Sequence, residues 1–133
     1  MNATTHITRR LATAALTFCA SGMALAEPGA LDGKTFQGLF IERGKTSGDA
    51  DTLTFKDGRF RSSACDRFGY SDAAYKATPA GDAIAFEAET ESAKYGRLAW
   101  KGVIRNGKLD ATAISLRPGK PPVENWVVAG SKP

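Results

Sequence analysis

Two Asx-Gly pairs, Asp57-Gly58 and Asn106-Gly107, constrain this chain more than any other feature in it. A two-residue hairpin turn needs positive φ at both central positions, which Asp, Asn and Gly adopt at least cost. Ala80-Gly81-Asp82 reads as a third turn, and Pro118-Gly119-Lys120-Pro121-Pro122 as a stiff loop. The segments between are short and rich in Thr, Val, Ile, Phe and Trp, so strands are expected at 34–42, 50–56, 59–65, 74–79, 83–90, 97–105, 108–117 and 123–130. No helical period stands out, although Ser71 to Lys76 has room for one turn.

Alternation within the segments supports strands with one dry face. Ile84, Phe86 and Ala88 share a face opposite Glu87 and Glu89, while Leu98, Trp100, Gly102 and Ile104 oppose Arg97, Lys101 and Arg105. The two Asx-Gly turns then set the register: Phe55 should face Phe60, Ile104 should face Leu109, and Trp100 should face Ala113. An open sheet of eight such strands would leave two unpaired edges, and closure removes both. The expected fold is therefore all-β, a single antiparallel up-and-down barrel of about eight short strands, with a two-sheet sandwich as the alternative.

The first 26 residues stand apart. Arg9 and Arg10 precede the apolar run Leu11 to Ala20, and Ala24-Leu25-Ala26 offers an Ala-x-Ala cleavage site. This is the pattern of a secretory signal. The run is shorter than the roughly 20 apolar residues a spanning helix needs, so no membrane span is expected after cleavage. Ala12 and Thr13 follow the arginine pair where the twin-arginine route prefers bulky apolar residues, and Phe18 precedes Cys19 where lipidation wants a small one. The expectation is a soluble product of the general secretory route, periplasmic or secreted, with residues 1–26 as signal peptide and residues 27–133 as one small β-barrel domain.

Cleavage changes the inventory of reactive groups. His6, the one histidine, leaves with the signal, as does Cys19. With Arg9 and Arg10 set aside from 18 basic residues, 16 face 14 acidic ones. No stretch concentrates positive charge, which argues against nucleic acid as a partner. Without histidine, a Ser-His-Asp or Cys-His site cannot be assembled, and one remaining thiolate falls short of a tetrahedral zinc site. The acids from Asp49 to Asp57 lack the spacing and closing Glu of a calcium loop. Glu87, Glu89 and Glu91 repeat at about 7 Å along one strand face, a spacing that two-carboxylate glycoside chemistry uses. Three acids on the polar face of an amphipathic strand are more simply a solvated surface. No catalytic residue, metal site or cofactor is assigned, and an enzyme is not expected.

Two groups of residues remain candidates. Phe60, Phe86, Trp100 and Trp126, with Phe55, fall on the expected inner parity, either as core or as the wall of a pocket. Ser62, Ala64, Ala88, Gly102, Ala111 and Ala113 share that face, and small residues inside a barrel either offset bulky neighbours or leave a cavity at one mouth. Arg67, Phe68 and Tyr70 form one loop and Tyr95 another, both composed like interface anchors. Cys65 is expected at the end of its strand, on the outward parity of Arg61 and Ser63. It has three readings: a buried structural thiol, a reactive one, or the bridge of a dimer. A monomer is otherwise expected.

The runs Leu31-Asp-Gly-Lys-Thr-Phe36, Asp51 to Cys65 and Trp100 to Gly107 together resemble small bacterial periplasmic proteins of lipocalin-like (calycin) type. The resemblance spans nearly all of the chain after residue 26 and implies a barrel with an apolar ligand. The stretch Leu53 to Tyr70 is also similar, less closely, to the META domain of some envelope proteins, with Ala64-Cys65-Asp66 where that domain carries Gly-Cys-Asn. The expected function is a binding module for a small apolar or amphipathic ligand. The alternatives are an interaction protein, such as a hydrolase inhibitor acting through its loops, and a structural envelope protein.

Overall fold

In the computed structural model of the protein, Asp57 and Gly58 take φ of 52° and 74°, and Asn106 and Gly107 take 50° and 72°. These are the paired left-handed conformations of a type I′ hairpin. The structure describes residues 27–132. The expected signal, with His6 and Cys19, lies outside the described residues.

Eight antiparallel strands follow in chain order: β1 (Thr35–Glu42), β2 (Asp49–Lys56), β3 (Arg59–Ser62), β4 (Ala73–Ala80), β5 (Ala83–Ser92), β6 (Gly96–Arg105), β7 (Lys108–Leu116) and β8 (Val123–Ser131). Each pairs with its neighbour in sequence, and β8 returns to β1, closing an up-and-down barrel. The sandwich alternative is thereby excluded. Phe55 faces Phe60, Ile104 faces Leu109 and Trp100 faces Ala113, the register the turns imply.

Two expectations fail around residue 63. β3 stops at Ser62, and residues Ser63–Phe68 form a 3-10 helix. Among the described residues the helical structure is therefore here, while the stretch from Ala73 joins β4. The cause is Asp51 on β2: its buried carboxylate accepts the Ser62 hydroxyl at 2.8 Å and the Ala64 amide at 3.1 Å, which draws the chain off the ladder. β3 and β4 consequently share only Arg59–Ala74 and Phe60–Ala73 as partners, the thinnest seam of the barrel.

The barrel has two unlike ends. The turns at 57–58, 81–82 and 106–107 gather at one, and residues 27–34 lie across it. Leu31 is fully buried there; its amide donates to the Tyr75 hydroxyl at 3.0 Å, which donates in turn to Asp32 at 2.6 Å. Gly33 donates to the Phe55 carbonyl and Gly58 to the Asp32 carboxylate. Burial and the Asp32 carboxylate together push the Tyr75 hydroxyl up to about 12. Above this floor, Phe55 packs edge-on against Phe36, Tyr75 and Phe86 and is tilted against Phe60, with Phe60 on Trp100 at 4.8 Å. That half is solid. Gly102 makes room for it, since a Cβ there would meet the Phe86 ring at 2.5 Å.

The outer face carries charge at mid-strand. Glu87 sits beside both Lys76 and Lys101 across the ladder, and Arg97 pairs with Glu89 at 2.9 Å. The three glutamates of β5 are exposed, as a solvated face requires. Among the described residues no helix is long and apolar enough to cross a membrane.

Candidate functional site: the open mouth of the barrel

At the far end the connections are longer: 43–48, 63–72, 93–95 and 117–122. The core stops short of them. A cavity of about 640 Å3 opens here, walled by Phe40, Leu98, Val123 and Asn125 from the strands and by Cys65, Tyr70 and Tyr95 from the loops. Small inward residues explain it. Along β7 the inner positions run Leu109, Ala111, Ala113, Ser115, so side-chain bulk is short towards the mouth. Phe40 contacts the Trp100 ring at 5.9 Å and marks the boundary between filled and open halves.

The aromatic candidates divide at that boundary. Phe60, Phe86 and Trp100 are buried core beneath the cavity and do not line it. Trp100 satisfies its indole N–H internally, donating to the Thr90 hydroxyl at 3.2 Å. Trp126 is a correction: it lies on the outer face with 47% of its surface exposed. In β8 the inward positions are Asn125, Val127 and Ala129, set by pairing with Ala113, Ala111 and Leu109. Asn125 can be buried because its side-chain amide donates to the Ala113 carbonyl at 3.0 Å. Trp126 meanwhile donates to Glu124 at 2.7 Å on the outside. One satisfied hydrogen bond thus reverses the parity that aromatic burial suggests.

Cys65 is a second correction. The 3-10 helix rotates it inward, to 5% exposure, with its sulfur 3.3 Å from the Ser62 hydroxyl. Burial, with the Asp51 and Asp66 carboxylates nearby, pushes the thiol up to about 11. Arg67 opposes this only weakly, because it donates to Asp49 at 2.5 Å. A protonated, buried thiol is a poor nucleophile, and at 5% exposure on the cavity wall it offers little surface to a second chain's sulfur. Arg61 and Asp66 form a further ion pair beside it.

The loop candidates do converge. Phe68 and Tyr95 meet edge to face at 5.6 Å, the Tyr70 hydroxyl donates to the Tyr95 carbonyl, and Arg67 lies over the Phe68 ring. Ser92 ties the two loops by donating to the Phe68 carbonyl at 2.7 Å and accepting the Tyr95 amide. Arg67, Phe68, Tyr70 and Tyr95 are thus one rim rather than two separate loops. Burial raises the Tyr70 hydroxyl above its ordinary range. Sequence reasoning missed Phe40, Leu98, Val123, Asn125, Ser115 and Arg117. The signal was available in part: these are inner-parity or terminal positions at the strand ends that meet the long loops.

A second, shallower depression of about 620 Å3 crosses the outside of β4–β8 between Lys76, Val103 and Trp126. Among the described residues no three His, Cys, Asp or Glu side chains converge as a metal ion would require. Compared with models of protein families, with curated proteins and with solved structures, the chain matches none.

Proposed function

We propose that this protein is an exported binding module, periplasmic or secreted, that holds a small apolar or amphipathic ligand in the mouth of its barrel and performs no chemistry on it. One observation carries the reading: one end of the barrel is filled by an aromatic core, while the other opens into a cavity of about 640 Å3 between the strand ends and the loops. Small-molecule sites typically fall between about 300 and 1,000 Å3 and combine apolar walls with a few polar groups. Phe40, Leu98 and Val123 supply the first here; Asn125, Ser115 and Tyr70 supply the second. The thinness of the acid-base inventory supports binding over catalysis, since the one histidine precedes the expected cleavage site and the Cys65 thiol is held protonated. The calycin-like resemblance fits the same reading.

The test is native mass spectrometry of protein purified from its own envelope, followed by titration with the neutral fluorescent probe N-phenyl-1-naphthylamine. A retained small molecule or a saturable rise in probe fluorescence is the expected result. Absence of both would remove the proposal.

A second reading rests on the rim. Phe68 is 39% exposed beside Arg67 and Tyr95, a composition suited to a protein partner such as a hydrolase. A co-purifying protein in place of a small molecule would favour it.

A further inference from the structure

The charges around the mouth are not balanced within the structure. Three cations line the cavity: Lys45 from the β1–β2 loop, and Arg117 and Lys120 from the β7–β8 loop. Among the described residues none of them has a carboxylate at ion-pair distance. Of the two acids lining the same space, Asp49 is taken by Arg67 at 2.5 Å, which leaves Glu42 alone against three cations. Arg43 is likewise neutralised by Glu124 at 3.0 Å. Arg117 is also placed: its guanidinium lies 4.7 Å from the centre of the Tyr95 ring, which limits its freedom and leaves its N–H groups unclaimed by any acid. The two cation-bearing loops are neighbours because β1 pairs with β8. Positive charge therefore gathers on one side of the rim, above Phe40, Leu98 and Val123.

We infer that the ligand is a single-chain amphiphile with an anionic headgroup, its charge held by Arg117, Lys120 and Lys45 and its tail directed onto Phe40, Leu98 and Val123. This rests on the proposal that the mouth is the binding site, and adds the sign of the headgroup. A carboxylate or phosphate there gains charge-assisted hydrogen bonds from groups that have no internal partner. A neutral headgroup gains less, and a cationic one meets like charge. Association should also be steered by the rim and weaken with salt.

The test is displacement of N-phenyl-1-naphthylamine by three amphiphiles of equal chain length: dodecanoate, dodecanol and dodecyltrimethylammonium. Dodecanoate should compete about tenfold or more better than dodecanol, with the cation weakest. That ratio should collapse towards one in the Arg117→Gln/Lys120→Gln double variant and shrink in about 0.5 M salt. Arg105→Gln, which alters an exposed cation paired with Asp82 near the closed end, should leave the ratio unchanged, and the two variants should match the wild type in circular dichroism. If dodecanol competes as well as dodecanoate, or if the preference survives the double variant, the inference fails while the cavity proposal stands. If neither the probe nor any amphiphile binds, both fail. Association with phosphatidylglycerol vesicles without uptake of any monomeric amphiphile would replace the inference with a membrane-surface contact.

Discussion

Asp51 and Cys65 face the same small space from β2 and from the 3-10 helix, joined by the Ser62 hydroxyl. Ser62 has one proton, which goes to the carboxylate, so its oxygen is left to accept from the thiol. Burial lifts Asp51 above its ordinary 3.8, outweighing the hydrogen bonds from Ala64, Ser62 and Ser63. The folded protein therefore holds that proton more tightly than the unfolded chain does. Its contribution to stability falls as pH rises from the unfolded value through the raised folded one. Asp51→Asn has no proton to lose. Urea unfolding at a series of pH values should show wild-type stability declining relative to the variant across that window; a relative increase would show that the carboxylate is stabilised by its surroundings instead. For Cys65 the shift from 9.0 to about 11 leaves about a hundredfold less thiolate near pH 8. Reaction with a soluble disulfide reagent should be at least that much slower in the native protein than in urea. Equal rates would mean that the thiol is reached in the native protein, through the cavity it lines or by opening of the helix.

Closure at the level of elements depends on one position without a side chain. Gly38 lies at the middle of β1, opposite Ala129, and a Cβ there would stand 1.9 Å from the Val128 carbonyl oxygen and 2.6 Å from the Ala129 Cα. These are backbone atoms and cannot swing aside. Gly38→Ala should force β1 and β8 apart and cost more than about 3 kcal/mol, beyond ordinary overpacking. A thermal melt by circular dichroism measures this, and a shift of only a degree or two would refute it. The turns at 57–58 and 106–107, and the strands they join, were legible because each is governed by residues adjacent in the chain. The end of β3 was not: Asp51 terminates it from the neighbouring strand, 13 residues before Ala64, and local pattern carries no trace of that pull.

Across the whole molecule, a solid half with a plugged floor supports a half left open. Leu31, Tyr75 and Asp32 close one end, and the cluster from Phe36 to Trp100 holds the strands around it. The rim can therefore vary without undermining the fold. Val123 is 41% exposed at that rim, so Val123→Trp should block uptake of N-phenyl-1-naphthylamine while leaving the melting temperature within a few degrees, surface changes being worth about 0.5 kcal/mol or less. Probe binding that survives the substitution would place the ligand elsewhere, the outer depression beside Trp126 being the next location to test.

By itself the sequence determined the class of fold, the hairpin registers and the identity of most core residues. Period-two alternation and left-handed turn residues act over a few positions, and physics at that range is readable from the chain. Tertiary structure alone decided which way β8 faces, where Cys65 points and which aromatics meet open space. Those outcomes turn on partners distant in sequence: Asn125 finding the Ala113 carbonyl, Asp51 capturing Ala64, and small residues on β7 falling at one end of a closed cylinder. The two turns remain the strongest local constraint, but closure of β1 on β8 converted a row of hairpins into an enclosed space with two unequal ends.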